Sequence, residues 1–335
     1  MSADAKSLHE QAIVIDAVCP LLFEHRHVEL YKRGGATAVA PTVGGSENAE
    51  TALRNIGRWI RRIRTGGDLT LVRRAADIAA AKRDRRLGII LHFQGTDPVE
   101  DDLDLVDAYK SLGVGMIQLT YNIKNRVGDG CEERTDAGLS RFGLDFIKRM
   151  NEARMVVDCS HTGFRTTMDA IEASRRPAVF SHAGAFSVHP SPRNISDEQI
   201  KAVAATGGLV GAVGYPPFVT AAPRPSLDDF IRHIDHMVNL VGIDHVALGI
   251  DYFTGQHPIA PDDVAAAIYK RLVDEGRWSP KAYPPPPYYY PAGIETPEGL
   301  PNLTRRLSER GYADADVLKI MGGNWVRVFR EVWGE

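Results

Sequence analysis

Cysteine is scarce and no charge dominates. Only Cys19, Cys131 and Cys159 occur in 335 residues; they are far apart and odd in number, which excludes a disulfide framework and a cysteine-rich zinc module. A reducing, cytoplasmic setting is the expectation. Forty Lys and Arg against 43 Asp and Glu leave a formal net charge of -3, which gives no electrostatic basis for binding nucleic acid or an anionic membrane. No apolar run reaches the roughly 18 residues of a membrane span. The opening MSADAKSLHEQ is polar and lacks the apolar core of a signal peptide, so neither export nor membrane insertion is expected. What is present is an ordinary globular composition, 44% hydrophobic and 25% charged.

Short β-rich runs alternate with amphipathic stretches, the order of parallel α/β architecture. Strands are expected at Ala12–Val18, Leu87–Phe93, Gly115–Thr120, Met155–Cys159, Ala178–Ser181, Gly208–Val213 and His245–Ile250. Helices are expected at Glu47–Thr65, Leu103–Leu112, Phe142–Ala153, Thr166–Ser174, Asp197–Ala205 and Ser226–Val241, with Ser196 and Ser226 as N-caps. Thr296–Trp333 reads as further helix. One more strand would close a (β/α)₈ barrel of TIM type, for which about 250 residues suffice. The expectation is therefore one domain over residues 1–335, with a doubly wound open sheet as the rival.

Two stretches break the pattern. Arg33–Gly45 is rich in Gly, Ala and Thr, has no apolar periodicity, and reads as a loop. Residues 281–293 contain Pro284-Pro285-Pro286-Pro287-Tyr288-Tyr289-Tyr290-Pro291, too stiff and donor-poor for a helix or strand interior. That loop insertion is a plain surface loop in polyproline form, a lid over the barrel mouth, or a subunit contact in a homodimer.

In such a barrel, chemistry gathers at the C-terminal ends of the strands. The polar residues ending the apolar runs are Asp16, Gln94, Tyr121-Asn122, His161, His182 and Asp251. A single one would be an ordinary cap or core residue. Two histidines and an aspartate in succession are the ligand types of zinc and similar divalent ions, which activate water for hydrolysis.

The segments Leu119-Thr120-Tyr121-Asn122, Met155-Val156-Val157-Asp158-Cys159-Ser160-His161, Ser181-His182, Arg193-Asn194, Leu248-Gly249-Ile250-Asp251 and Gly322-Gly323-Asn324-Trp325 resemble the membrane (renal) dipeptidase family of the amidohydrolase superfamily. The resemblance runs along nearly the whole chain and implies a (β/α)₈ metallohydrolase. It also implies roles: His161 and His182 as metal ligands, Asp251 as the carboxylate contacting water and substrate amine, and Arg193 as the receiver of a substrate carboxylate. The sequence departs from that pattern where the family has an Asp-Gly-His-Asn-Asp run, because Asp16-Ala17-Val18-Cys19-Pro20 puts Val18 and Pro20 at two ligand positions. Gln94 stands at the bridging glutamate and Tyr121 at a substrate-contacting histidine.

What remains is a set for at most one divalent ion, with zinc the first choice and an ion-free site the alternative. His161 and His182 would hold it, Gln94 could add its carbonyl oxygen, and His92, two residues earlier on the same strand face, is either a replacement ligand or a buried polar filler. Asp251 is the expected general base, with Arg193, Tyr121 and Asn122 expected to bind substrate. Cys19 is either a thiolate or a small buried residue. The expected activity is hydrolysis of an amide-type bond in a small carboxylate-bearing molecule. The alternative is an ion-free barrel that binds a small molecule or catalyses without metal.

Overall fold

Apolar runs of two to six residues, buried on both faces, make the framework. The computed structural model describes residues 3–335, with side chains from Ala5 onward; Met1 and Ser2, which begin the polar opening stretch, lie outside the described residues. In chain order the strands are β1 (Ile15–Asp16), β2 (Ala38–Val39), β3 (Thr42–Gly44), β4 (Leu69–Leu71), β5 (Leu87–Ile89), β6 (Leu91–Phe93), β7 (Val114–Gln118), β8 (Val156–Asp158), β9 (Ala178–Ala183), β10 (Leu209–Ala212) and β11 (Val246–Leu248). All their ladders are parallel.

Backbone bonds carry the pairing across the breaks at Ala40-Pro41 and Ile90, so β2/β3 and β5/β6 each act as one strand. Ala40 N donates to Asp16 O at 3.0 Å, Ile90 N to Val39 O at 2.9 Å and His92 N to Pro41 O at 3.2 Å. The order β1, β2/β3, β5/β6, β7, β8, β9, β10, β11 then gives eight positions, with β4 a spur on β5. No ladder joins β11 to β1 among the described residues. The circle closes instead through Ile250 N, which donates to the Asp16 carboxylate at 2.8 Å, and Leu21 N, which donates to Tyr252 O at 2.8 Å. The fold is the (β/α)₈ barrel, and the open sheet is set aside.

The missing eighth strand lies where a loop was expected. Arg33–Gly45 contains β2 and β3, and Arg33 itself ends the helix Val28–Arg33. Its apolar positions do not alternate because Ala38, Val39, Ala40 and Val43 are buried whichever face they take. Small residues are required nearby as well: a Cβ on Gly211 would lie 2.1 Å, and on Gly249 1.8 Å, from the Ser181 carbonyl oxygen. Those close approaches keep β9, β10 and β11 tight around His182.

Helices follow the strands as expected, and Ser196 and Ser226 both close capping boxes, with Gln199 and Asp229. The final helix, Asn324–Trp333, stops the N-terminal end of the barrel. Trp325 Nε1 donates to Leu248 O at 2.9 Å and Trp333 Nε1 to Gly115 O at 3.0 Å, while Phe329 stacks between their rings. The chemistry is thereby left to the opposite end. Among the described residues, no helix is long and apolar enough to cross a membrane.

Candidate active site

The strand-end residues converge, as their positions in the chain imply. His161, after β8, and His182, in β9, bring their Nε2 atoms to 2.8 Å. Their other ring nitrogens are held by side chains whose proton budget is fixed. Asn122 Nδ2 donates to the Arg277 carbonyl at 2.9 Å, so its Oδ1 faces His161 Nδ1 at 2.6 Å and that nitrogen must carry the hydrogen. Ser181 Oγ gives its one proton to Asp158 Oδ2 at 2.5 Å and must then accept from His182 Nδ1 at 2.8 Å. Asp158 is a firm acceptor: although burial pushes its carboxyl up, bonds from His92 and Ser181 hold it well below the usual range. Burial, with the Arg193 charge beside them, drives both imidazoles well below their ordinary value, so both are neutral.

Two neutral rings with both Nδ1 hydrogens committed present two bare Nε2 lone pairs to each other. That contact is repulsive without a cation between them, and second bonds that fix the tautomer in this way are what metal-binding histidines have. The pair therefore fits one divalent ion. It does not complete a site, because among the described residues no group of three or more His, Cys, Asp or Glu side chains is placed to hold a metal.

The other expected residues divide into two groups. Gln94 and Asp251 line the same cavity of about 400 Å³ as His161 and Tyr121. Thr42 Oγ1 donates to Gln94 Oε1 at 3.1 Å. The Asp251 carboxylate takes no hydrogen bond or ion pair from the described residues, and burial pushes it well above the ordinary carboxyl range, partly offset by Arg193. Tyr121 stacks on His161 with ring centroids 4.2 Å apart.

His92, Asn122 and Arg193 stand apart from that cavity. His92 makes no contact with the pair: Nε2 meets Asp158 Oδ2 at 3.3 Å and Nδ1 is buried without a partner. Asn122 is buried with both ends of its amide engaged, so it holds His161. Arg193 is buried, donates from Nε to the Tyr283 hydroxyl at 3.2 Å, and lies over Phe218. It lines a smaller cavity of about 250 Å³, with Cys131 and Thr162, on the far side of His161. Cys19 is buried and donates to Asp16 O at 3.4 Å; burial raises its thiol far above neutrality, so it is a small core residue.

Three site residues, Asn122, His161 and Asp251, have φ of 61°, 63° and 64°. This left-handed conformation is costly for residues with a Cβ and is concentrated at functional sites. It turns the chain sharply at each strand end and aims the side chains inward.

Residues not foreseen complete the cavity. Glu47, just after β3, has Oε2 buried without a partner, and its strand was hidden in the supposed loop. Trp278 and Tyr283 come from the segment around the proline run. Trp278 Nε1 donates to the Tyr121 hydroxyl at 3.0 Å, and the Tyr283 hydroxyl donates to Asn122 Oδ1 at 3.2 Å. In the insertion itself, Pro284, Pro285 and Pro287 are exposed, but Tyr283, Tyr288 and Tyr290 are buried within the chain, and Tyr290 donates to the Asp251 carbonyl. Of these three, Tyr283 lines the cavity, while Tyr288 and Tyr290 pack inside the chain beside Tyr215.

Comparison with known proteins agrees with this fold. The model of the family described as membrane dipeptidase (Peptidase family M19) matches residues 27–275 and 288–333 and passes over the stretch between. The crystal structure of an amidohydrolase from Pseudomonas aeruginosa superposes with a TM-score of 0.88 at 35% identity, covering 99% of both chains. An uncharacterized dipeptidase of Schizosaccharomyces pombe is 34% identical over 79% of this chain, which spans 58% of that protein's length. A protein encoded in the pqqA 5' region of Klebsiella pneumoniae is 30% identical over 80% of this chain and 91% of its own.

Proposed function

Because the chain belongs to the membrane dipeptidase family, we propose that it hydrolyses an amide-type bond in a small carboxylate-bearing substrate, with at most one divalent ion held by His161 and His182. The observation that carries this reading is the pair of imidazole lone pairs meeting at 2.8 Å beside a cavity that also holds an unpaired carboxylate. Gln94, which lines the same cavity, would add its side-chain oxygen as a further donor. A divalent ion bound there would polarise a carbonyl and make water more acidic.

The protein's own groups account for the remaining steps. Asp251, free of partners and raised by burial, takes a proton from the attacking water as its oxygen bonds to the carbonyl carbon. It returns that proton to the amine nitrogen as the carbon–nitrogen bond breaks. Asn122 holds His161, Tyr121 covers it, and Arg193 receives the substrate carboxylate from the far side of the imidazole, which requires the Tyr283 hydroxyl to yield its bond to Nε. The reading also takes the protein to be cytoplasmic and the whole chain to be one barrel domain.

A second reading has its own support: the lack of a third ligand among the described residues favours a barrel that binds a small molecule without metal. Elemental analysis of dialysed protein, paired with an amide-hydrolysis screen of wild type and His161→Ala, separates the two. Hydrolysis that requires an ion and is lost in the variant supports the first. Hydrolysis unchanged in His161→Ala overturns it.

A further inference from the structure

The stretch passed over by the family model, residues 276–287, is wired into the site. Arg277 gives its carbonyl to Asn122 and its guanidinium lies over the Tyr121 ring at 5.3 Å. Trp278 and Tyr283 lie parallel, ring centroids 4.4 Å apart and planes 7° apart, and both line the principal cavity. Trp278 also contacts Phe253 at 5.2 Å and bonds to Tyr121, which itself covers His161. A continuous aromatic wall thus runs from the imidazole pair along the cavity, and the stretch 276–287 supplies its centre. The same cavity is lined by the unpaired carboxylates Asp251 and Glu47.

A wall of this kind has a chemical preference. Aromatic faces and edges attract another ring by more than the apolar area alone. A cavity of about 400 Å³ also leaves much of its wall uncovered by a methyl-sized side chain. We propose that the stretch 276–287 is a selectivity element: Trp278 and Tyr283 form a subsite for an aromatic side chain on an amine-bearing amide, so the preferred substrate carries a ring next to the bond that is cut. This rests on the hydrolase reading for the cut, but not for the recognition.

The test separates the two. Reduced-amide analogues of Phe-Gly, Gly-Phe, Ala-Gly and Gly-Ala, with CH₂–NH in place of CO–NH, bind without being cleaved, and their affinities for the full-length protein are read by calorimetry. The better phenylalanine analogue is expected to bind about 10- to 100-fold more tightly than its alanine counterpart, from burial of the ring and its aromatic contacts. Trp278→Phe should keep most of that ratio and Trp278→Leu should bring it below about threefold, since leucine keeps apolar volume but not the ring; melting curves establish that both variants are folded. Equal binding of phenylalanine and alanine analogues by wild type, no binding of any, or a ratio that survives Trp278→Leu overturns the proposal. Selective binding without cleavage of the parent dipeptides leaves the subsite standing and removes the hydrolase reading. Cleavage without selectivity does the reverse.

Discussion

His161 has no choice of tautomer, because its neighbours fix it. One amide, Asn122, is fixed at one end by the Arg277 carbonyl and so dictates which imidazole nitrogen is free. Replacing Asn122 with Leu should weaken zinc binding by about 10- to 100-fold, the usual effect of losing such a support, as measured by competition with a chromophoric chelator. Unaltered affinity would mean that the imidazole orients itself. Arg193 makes a different claim. If it receives a carboxylate, Arg193→Ala should raise KM about ten- to a hundredfold, because a charged hydrogen bond contributes roughly 1.5–3 kcal/mol. Lysine should restore little, since it cannot reproduce the guanidinium fork. The strand-end residues were legible because each follows an apolar run. Glu47, Trp278 and Tyr283 were not, because loops bring them in and no periodicity marks a loop residue as inward-facing.

Strand β2/β3 teaches the same lesson in reverse. Seven strands announced themselves by β-branched runs, but Ala38–Gly44 is small-residue-rich and broken by Pro41, and its identity as a strand depends on neighbours it finds only in the fold. The helix Ala75–Arg83 was missed for a related cause: its five alanines make a weak stripe. At the seam between β1 and β11, Asp16 replaces a ladder with one side-chain bond, while its Oδ2 is buried without a partner. Burial pushes this carboxyl up to about 7, from the 3.8 of an aspartate in the unfolded chain. The folded state therefore holds the proton more tightly; the contribution is complete below about pH 3.8 and is lost as pH rises through about 7, on the order of 4 kcal/mol. Asp16→Asn can keep the bond to Ile250 without titrating. Stability of wild type relative to this variant should fall between pH 4 and 7 in denaturant titrations, and a flat difference would remove Asp16 from the account.

At the level of the whole molecule, the barrel is that of its relatives, while the proposed ion site has fewer side chains able to ligate than the family pattern implies. Val18 and Pro20 cannot ligate, and the two imidazoles are left as a pair. Purified protein should retain between zero and one equivalent of transition metal after dialysis; two equivalents would show that other residues have replaced the lost ligands. Simple dipeptides of small residues should turn over well below the roughly 10 per second typical of enzymes, and a rate at that level would show that Tyr121 and Gln94 cost less than their chemistry suggests.

The left-handed backbone at His161 and Asp251 has a consequence for how this protein responds to mutation. An L-residue forced into that region costs about 1–2 kcal/mol, and glycine does not bear that cost. A library selected only for heat resistance should therefore accumulate glycine at these two positions, and the clones that survive best should be the ones that have lost the imidazole or the carboxylate. The most durable descendants of this barrel would be its inactive ones.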